Sequence, residues 1–206
     1  MAQKKQASGI SRLLQFAGSK KYLVVLSCAL SAISTVLSLC PFIWLWFVAR
    51  EIFTALPDLS QVSISALMQY AWLAVAFAAG GFLLYYIALL CSHLAAFSIA
   101  KNMKMTVLQH LTTLPLGFFG SQGSGKIRKV IDENSDSTEA FIAHQLPDLV
   151  GAFITPFVIL AFLFIFDWRL GLLSLIPLAL GFVVQGAVMG TTAPKYIKQV
   201  QDAGET

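Results

Sequence analysis

Residues 114–127 read LPLGFFGSQGSGKI and join two long stretches that contain neither glycine nor proline. Stretches of that kind form uninterrupted helices readily. The turn between them permits two interpretations. Gly120 to Lys126 fits the G-x-x-x-x-G-K frame of a nucleotide-binding loop, and the same residues fit the tip of a helical hairpin that contacts a partner.

The chain carries more apolar surface than a soluble domain of its size can bury. Of its 206 residues, 57% are hydrophobic and only 12% are charged. One core of this size cannot hide that excess, so part of it must face lipid. The composition therefore predicts an all-α, polytopic membrane protein.

Runs with few or no charges divide the chain into four predicted transmembrane helices. About 20 apolar residues cross the roughly 30 Å of hydrocarbon as a helix. The predicted spans cover residues 22–49, 70–100, 142–166 and 170–194. Cys28, Cys40 and Cys91 fall within apolar runs and lack C-x-x-C spacing, so they predict neither a metal site nor a redox site.

Lysine and arginine predict the orientation. They are concentrated in the arm of residues 1–20 and in the segment of residues 101–141. By the positive-inside rule both segments are cytoplasmic, and four spans then place both ends of the chain in the cytoplasm. We expect a multi-pass protein of the cytoplasmic (inner) membrane. The net charge of +4 is explained by this topology, and no nucleic-acid partner is expected.

The arm of residues 1–20 contains one amphipathic repeat. Ile10, Leu13, Leu14 and Ala17 recur at helical spacing, which predicts a short elbow helix in the membrane interface. A single repeat also fits an unstructured basic tail. Gly18 would let the chain bend into the bilayer.

Residues 101–141 predict a long cytoplasmic hairpin. A helix over residues 82–114 would be about 50 Å long, about 20 Å more than the hydrocarbon requires. With a tip near Gly120, Lys104 would face Asp136 and Lys101 would face Glu139.

The nucleotide interpretation of the turn fails on two requirements. A phosphate-binding loop follows a strand and has Ser or Thr after its lysine. Here a helix precedes the turn, and Ile127 follows Lys126. The hairpin interpretation is therefore favoured, with Pro115 ending one helix and Gly125 releasing the next. It leaves Phe118 and Phe119 exposed, which implies a protein partner.

Several motifs in this order resemble the first part of the transmembrane domain of ABC transporters with the exporter-type (type IV) fold. They are Leu114-Pro115-Leu116-Gly117-Phe118-Phe119, Gly125 with the amphipathic helix after it, Leu146-Pro147-Asp148 and Phe166-Asp167-Trp168-Arg169-Leu170. The resemblance implies that the tip is a coupling helix docked on an ATPase domain. Its residues would be Phe118, Phe119, Gly120, Ser121, Gln122, Gly123 and Ser124. The family often has Asp where this chain has Asn134, so no role is assigned to Asn134.

The resemblance also implies parts that this chain does not contain. Family members have six spans per half, a second half as a homo- or heterodimer, and an ATPase domain in the same chain or another subunit. We therefore expect a domain truncated before its last two spans. The full-length protein would be an ATP-hydrolysing translocase, with ATP and Mg²⁺ held by the ATPase domain. No catalytic, cofactor-binding or metal-binding residue is predicted in this chain.

Polar groups and helix breakers within the spans are candidates for the transport pathway and its movement. His93, Thr155 and Gln185 are costly in lipid, so they are candidate pathway-lining residues, although helix–helix hydrogen bonds would also explain them. Pro156, Pro177, Gly181 and Gly186 are candidate gate or hinge residues.

The cargo is the least specific prediction. The resemblance implies a small molecule, lipid, peptide or drug. Residues 143–148, which read AHQLPD, are similar to a segment of the branch that handles iron-siderophores, so a siderophore importer with the exporter-type fold is an alternative. A small four-span binding or assembly protein is a second alternative. An intramembrane enzyme is disfavoured, because no Ser-His, paired-carboxylate or His-Glu-x-x-His arrangement is present.

Overall fold

The computed structural model describes residues 15–57, 62–115, 117–119 and 123–204, and for residues 19 and 192–204 it describes the backbone alone. The chain divides into two compact units, Met1–Thr155 and Pro156–Thr206. All regular structure in the described residues is helical, which confirms the predicted all-α class.

Four α-helices carry the chain as far as residue 166. They are α1, Lys21–Ala55; α2, Ile64–Leu111; α3, Ser124–Ala140; and α4, Leu146–Phe166. A π-helical turn, Phe141–Gln145, joins α3 to α4 without a break. The helix that was predicted to begin at residue 142 therefore begins at Ser124 and includes one side of the hairpin.

The second unit contains the end of α4 and α5, Trp168–Gly204. Asp167 lies between the two helices, and its carboxylate accepts a hydrogen bond of 2.9 Å from the Arg169 N–H. This bond satisfies one of the amide groups that the first turn of a helix leaves unpaired. A Cβ added at Gly171 would lie 2.7 Å from the Phe164 ring, so α5 starts directly against α4.

Four helical segments are long and apolar enough to cross a membrane: Lys21–Ala55, Ile64–Leu111, Ser124–Phe166 and Trp168–Thr191. The chain is a multi-pass membrane protein, and the predicted number of spans is confirmed. The first three helices extend well beyond the predicted spans. A helix satisfies its own backbone hydrogen bonds, so it does not have to end where its side chains become polar.

Small residues bring α1 and α2 close together. Ser27, Ser31 and Ser34 are buried on α1. The buried small residues of α2 are Gly81, Ala88, Ser92, Ala95, Ala96 and Ala100. Lipid tails are as apolar as the side chains, so helices in a bilayer associate through close van der Waals packing and hydrogen bonds rather than through the hydrophobic effect.

Pro147 accounts for the π-turn before it. Proline has no N–H to donate to the carbonyl four residues earlier, here that of Ala143, and its ring crowds that carbonyl. The wider turn at Phe141–Gln145 lies where this crowding would occur, and insertions of this kind are a known accommodation in helices.

Hydroxyl groups on the neighbouring helices bond to the backbone around Pro147. Ser92 on α2 donates to the Ala143 carbonyl at 2.7 Å, and Ser31 on α1 donates to the Pro147 carbonyl at 2.8 Å. A Cβ added at Gly151 would lie 3.1 Å from Thr35 Oγ1, so α4 also approaches α1 closely. These contacts attach the start of α4 to both α1 and α2.

The segment before α1 is attached to the part of α2 that extends beyond its predicted span. Gly18 has φ +54°, a left-handed conformation that favours glycine, and begins the short 3₁₀ turn Gly18–Lys20. Asn102 Nδ2 donates a hydrogen bond of 2.8 Å to the Phe16 carbonyl. Ala17 is buried. Residues 1–14, which include most of the predicted elbow helix, lie outside the described residues.

We predict that Gly81→Ala destabilises the protein. The added Cβ would lie 2.5 Å from Ser38 Oγ and 3.0 Å from the Ser38 backbone nitrogen. The backbone cannot rotate away, so the helices must separate, at a cost of about 1–3 kcal/mol in free energy of unfolding. The measurement is the thermal unfolding midpoint of the full-length protein in detergent.

Gly80→Ala is the matched control, because its added Cβ would make an ordinary contact of 3.6 Å with Leu37 Cδ2. It should leave the midpoint unchanged or raise it, since alanine favours helix by about 1 kcal/mol over glycine. Equal midpoints for the two variants would contradict the close approach of α1 and α2.

We predict that the effect of Ser92→Ala depends on Pro147. In the wild-type background the Ala143 carbonyl loses its donor, at a cost of about 0.6–1.7 kcal/mol. In a Pro147→Ala background residue 147 regains an N–H for that carbonyl, so the same substitution should cost less. Thermal midpoints of the four proteins in this cycle test the coupling.

Ser98→Ala is the control, since the Ser98 hydroxyl donates to the Leu94 carbonyl of its own helix. It should have a small effect in both backgrounds. An equal cost of Ser92→Ala with and without Pro147 would rule out the proposed compensation.

Candidate functional site

The hairpin tip begins where α2 stops, ahead of Pro115. Thr112 and Thr113 donate their hydroxyls to the carbonyls of Gln109 and His110, both at 2.7 Å. The Thr112 hydroxyl thereby supplies a donor to one of the carbonyls at the helix end, and the His110 carbonyl also accepts the Thr113 N–H at 3.1 Å. The predicted end of the helix near Pro115 agrees with this arrangement.

The return of the chain depends on Gly123 rather than on Gly125. Gly123 has φ +72° and precedes the first residue of α3, Ser124. Gly125 lies inside the first turn of α3. The expectation that Gly125 releases the helix was therefore wrong, because the left-handed conformation is needed two residues earlier. Three predicted tip residues, Gly120, Ser121 and Gln122, lie outside the described residues.

The two tip phenylalanines have different surroundings. Their rings meet edge to face, with centroids 5.7 Å apart. Phe118 is 36% exposed. Phe119 is half-buried and lines a mainly apolar groove of about 380 Å³ between α2 and α3, together with Leu108 and Ile131. The prediction that both rings are exposed is wrong for Phe119, because the groove between the helices accommodates its ring.

Ion pairs connect the two sides of the hairpin. Lys104 Nζ lies 3.1 Å from Asp136 Oδ1 and 3.3 Å from Asp132 Oδ1. Hydrogen bonds to Asp136 and to Asp132 raise the pKa of Lys104. Since the pKa is raised, this interaction is fully present below the ordinary lysine pKa of about 10.4 and is lost only as the pH rises beyond it.

The predicted register of the hairpin is correct for one pair. Lys104 bonds to Asp136, as expected. Lys101 and Glu139 form no ion pair in the described part of the chain. Lys101 instead lines a groove beside Ala17 and Gly18, so it faces the segment before α1.

The described tip does not fit a nucleotide. A helix precedes it, and Lys126 lies in the first turn of α3 with Ile127 after it. A magnesium-binding hydroxyl is therefore missing from the position that follows the lysine. Within the described residues there is also no cluster of three or more metal-ligating side chains.

The three candidate pathway residues lie in different surroundings. The ring of His93 on α2 meets that of His144 in the π-turn, with centroids 4.7 Å apart. Thr155 Oγ1 donates to the Gly151 carbonyl of its own helix at 2.8 Å. Gln185 is exposed on α5, in the second unit. Their role in a pathway remains a prediction.

The candidate hinges lie within continuous helices. α4 continues through Pro156, and α5 continues through Pro177. A Cβ at Gly181 or Gly186 would meet no atom within 4 Å. The boundary between the two compact units falls directly before Pro156. Bending at these positions remains a prediction.

Two polar residues with a direct contact were missed from the sequence. Tyr85 on α2 donates its hydroxyl to Asp148 Oδ1 on α4, at 2.6 Å. Asp148 was included in two sequence motifs but was given no role of its own. An ionisable residue in a span is itself a signal of function, and that signal could have singled out Asp148.

The amino-acid sequence has counterparts among known proteins. The ABC transporter transmembrane region matches residues 24–205. Over 180 residues the chain is 31% identical to the mycobactin import ATP-binding/permease protein IrtA of Mycolicibacterium smegmatis, a match that covers 85% of this chain and 20% of the relative. The chain is 30% identical over 198 residues to IrtA of Mycobacterium tuberculosis, and this match covers 94% of this chain and 21% of the relative.

A third relative is the ABC-type transporter atr1 of Mycosarcoma maydis, with 34% identity over 92 residues, 45% of this chain and 7% of the relative. The chain spans about a fifth of the length of the two mycobactin import proteins. These findings favour the transporter prediction over a small four-span binding or assembly protein. With a match that extends over residues 24–205, the chain belongs to the ABC transporter transmembrane region family.

Proposed function

We propose that this chain is the permease portion of an ATP-driven transporter and that its hairpin tip docks on an ATPase domain. The hairpin carries the proposal. α2 and α3 extend beyond the apolar segments, ion pairs join them at Lys104, and an aromatic side chain is exposed at the tip. A stiff lever of this kind suits the transfer of movement from a cytoplasmic domain to the spans.

The relatives support an ATPase partner. Two of them are named ATP-binding/permease proteins and are about five times as long as the match. We place the ATPase domain in the same chain or in another subunit, where it would bind ATP and Mg²⁺. A second transporter half, identical or different, would complete the pathway. The contribution of this chain is mechanical, since its tip does not fit a nucleotide.

We propose that the cargo is an iron-siderophore and that it moves inward. The relatives named for mycobactin import support this class of cargo. So does the similarity of residues 143–148 to a segment of the branch that handles iron-siderophores. The positive-inside rule places the hairpin and both ends of the chain on the cytoplasmic side of the inner membrane.

We predict that Phe118→Ala uncouples the transporter without unfolding it. Phe118 lies at the tip, where truncation of an aromatic side chain in a docking contact weakens binding by about tenfold. Substrate-stimulated ATPase activity of the full-length protein should fall, and its thermal midpoint should stay close to that of the wild type.

Phe119→Ala is the matched comparison, because Phe119 lines the groove between α2 and α3. It should lower the thermal midpoint as well as the stimulation. Full stimulation in Phe118→Ala, at every substrate concentration, would refute a docking role for that ring.

We predict that a ferric siderophore of the mycobactin class stimulates the ATPase activity of the full-length protein in proteoliposomes. Radioactive iron should accumulate on the side that carries the ATPase domain. If lipids, peptides or drugs stimulate the ATPase activity and ferric siderophore does not, the siderophore cargo is wrong. The proposed coupling to an ATPase domain would not be affected by that result.

A further inference from the structure

A groove of about 440 Å³ lies within the first unit, where α1, α2 and the start of α4 come together. Five hydroxyl-bearing side chains line it: Ser34, Thr35, Ser38, Tyr85 and Thr155. The remaining lining is apolar and includes Phe82. Its volume is in the range of small-molecule sites, which are mostly apolar with a few convergent polar groups.

Four of the five hydroxyl groups of this groove donate their hydrogen within the described part of the protein, and Ser38 is the exception. Thr35 Oγ1 and Ser34 Oγ both donate to the Ser31 carbonyl, at 2.8 and 3.2 Å. Thr155 Oγ1 donates to the Gly151 carbonyl at 2.8 Å. A hydroxyl has one hydrogen, so each of these groups has only lone pairs left for a ligand.

Tyr85 extends the same pattern and is bonded to Asp148, an exposed carboxylate next to the groove wall. Its hydroxyl hydrogen is directed to Asp148 Oδ1, 2.6 Å away, so the tyrosine oxygen also has only lone pairs left for a ligand. Asp148 forms no ion pair with a lysine, arginine or histidine within the described residues. The neighbouring His144 contacts His93 instead. A carboxylate in a span without a cationic partner is costly.

We propose that this groove binds a protonated amine carried by a small amphipathic molecule. The ammonium group supplies N–H donors to the oxygens of Thr35, Thr155 and Tyr85, and its positive charge lies close to Asp148, which is bonded to Tyr85. The apolar part of the wall receives the carbon portion of the ligand. An anion, or a ligand with acceptors alone, finds only the Ser38 hydroxyl as a donor and no compensating positive charge among the lining residues.

This site goes beyond the proposed transport function, because its ligand is selected by charge and by hydrogen-bond donors and its occupancy requires no ATP. A further helix of the full-length protein is the competing occupant. The test therefore uses the full-length protein, in lipid nanodiscs and without nucleotide.

Monodansylcadaverine is the probe, since its primary amine is charged at neutral pH and its dansyl group reports binding by fluorescence anisotropy. Two analogues match it in size. The trimethylammonium analogue keeps the charge without ammonium N–H donors, and the N-acetyl analogue removes the charge. The amine should bind at least about tenfold more tightly than either analogue, as expected for charge-assisted hydrogen bonds. Empty nanodiscs correct for partition into lipid.

Asp148→Asn should weaken binding of the amine by about tenfold or more, and Tyr85→Phe and Thr155→Val should weaken it less. Asp167→Asn makes the same chemical change in the turn before α5 and should leave binding unchanged. Thermal midpoints of all variants check that they are folded.

Three results would overturn the proposal: absence of amine binding above that of empty nanodiscs, equal affinity for the amine and its analogues, or unchanged affinity in Asp148→Asn. The first would mean that another helix fills the groove. Because binding is measured without nucleotide, these results are separate from siderophore-stimulated ATPase activity, whose absence would instead refute the siderophore cargo.

Discussion

The close approach of α1 to its neighbours is the constraint on which the first unit depends. Ser38 on α1 faces Gly81 on α2, where an added Cβ would lie 3.0 Å from the Ser38 backbone nitrogen. Thr35 on α1 faces Gly151 on α4, where an added Cβ would lie 3.1 Å from the threonine hydroxyl. Close packing stabilises helices in lipid, because moving an apolar side chain from lipid to a helix interface gains little free energy by the hydrophobic effect. A larger residue at Gly81 would separate α1 from α2. It would also move apart the side chains of these two helices that line the groove.

The same small residues determine where polar chemistry can occur. Pro147 leaves the Ala143 carbonyl without its usual donor, and a hydroxyl from α2 replaces that donor because the helices are close enough. A second hydroxyl, Ser31 from α1, bonds to the Pro147 carbonyl. In the groove nearby, the hydroxyls of Ser34, Thr35 and Thr155 also donate to backbone carbonyls, so their oxygens face the groove as acceptors.

The hairpin was predicted from the sequence only in part. Its existence, its approximate tip and the Lys104–Asp136 pair follow from an absence of helix breakers and from simple register. Three other features could not be predicted from the sequence: the surroundings of Phe119, the position of the left-handed glycine and the direction of Lys101. Each depends on the distance and rotation between two helices. For the same reason Tyr85 and Asp148, 63 positions apart, could not be paired from the sequence.

By itself, the sequence determined the helical class, the four spans and the resemblance to an ABC transmembrane domain. Those properties depend on composition, on charge distribution and on local motifs, which are readable along one chain. Only the tertiary structure decided which polar groups satisfy one another, that Phe119 belongs to the hairpin interior, and that an acceptor-lined groove lies beside Asp148. These features depend on contacts between helices, and small residues at a few crossing points set the distances at which such contacts form.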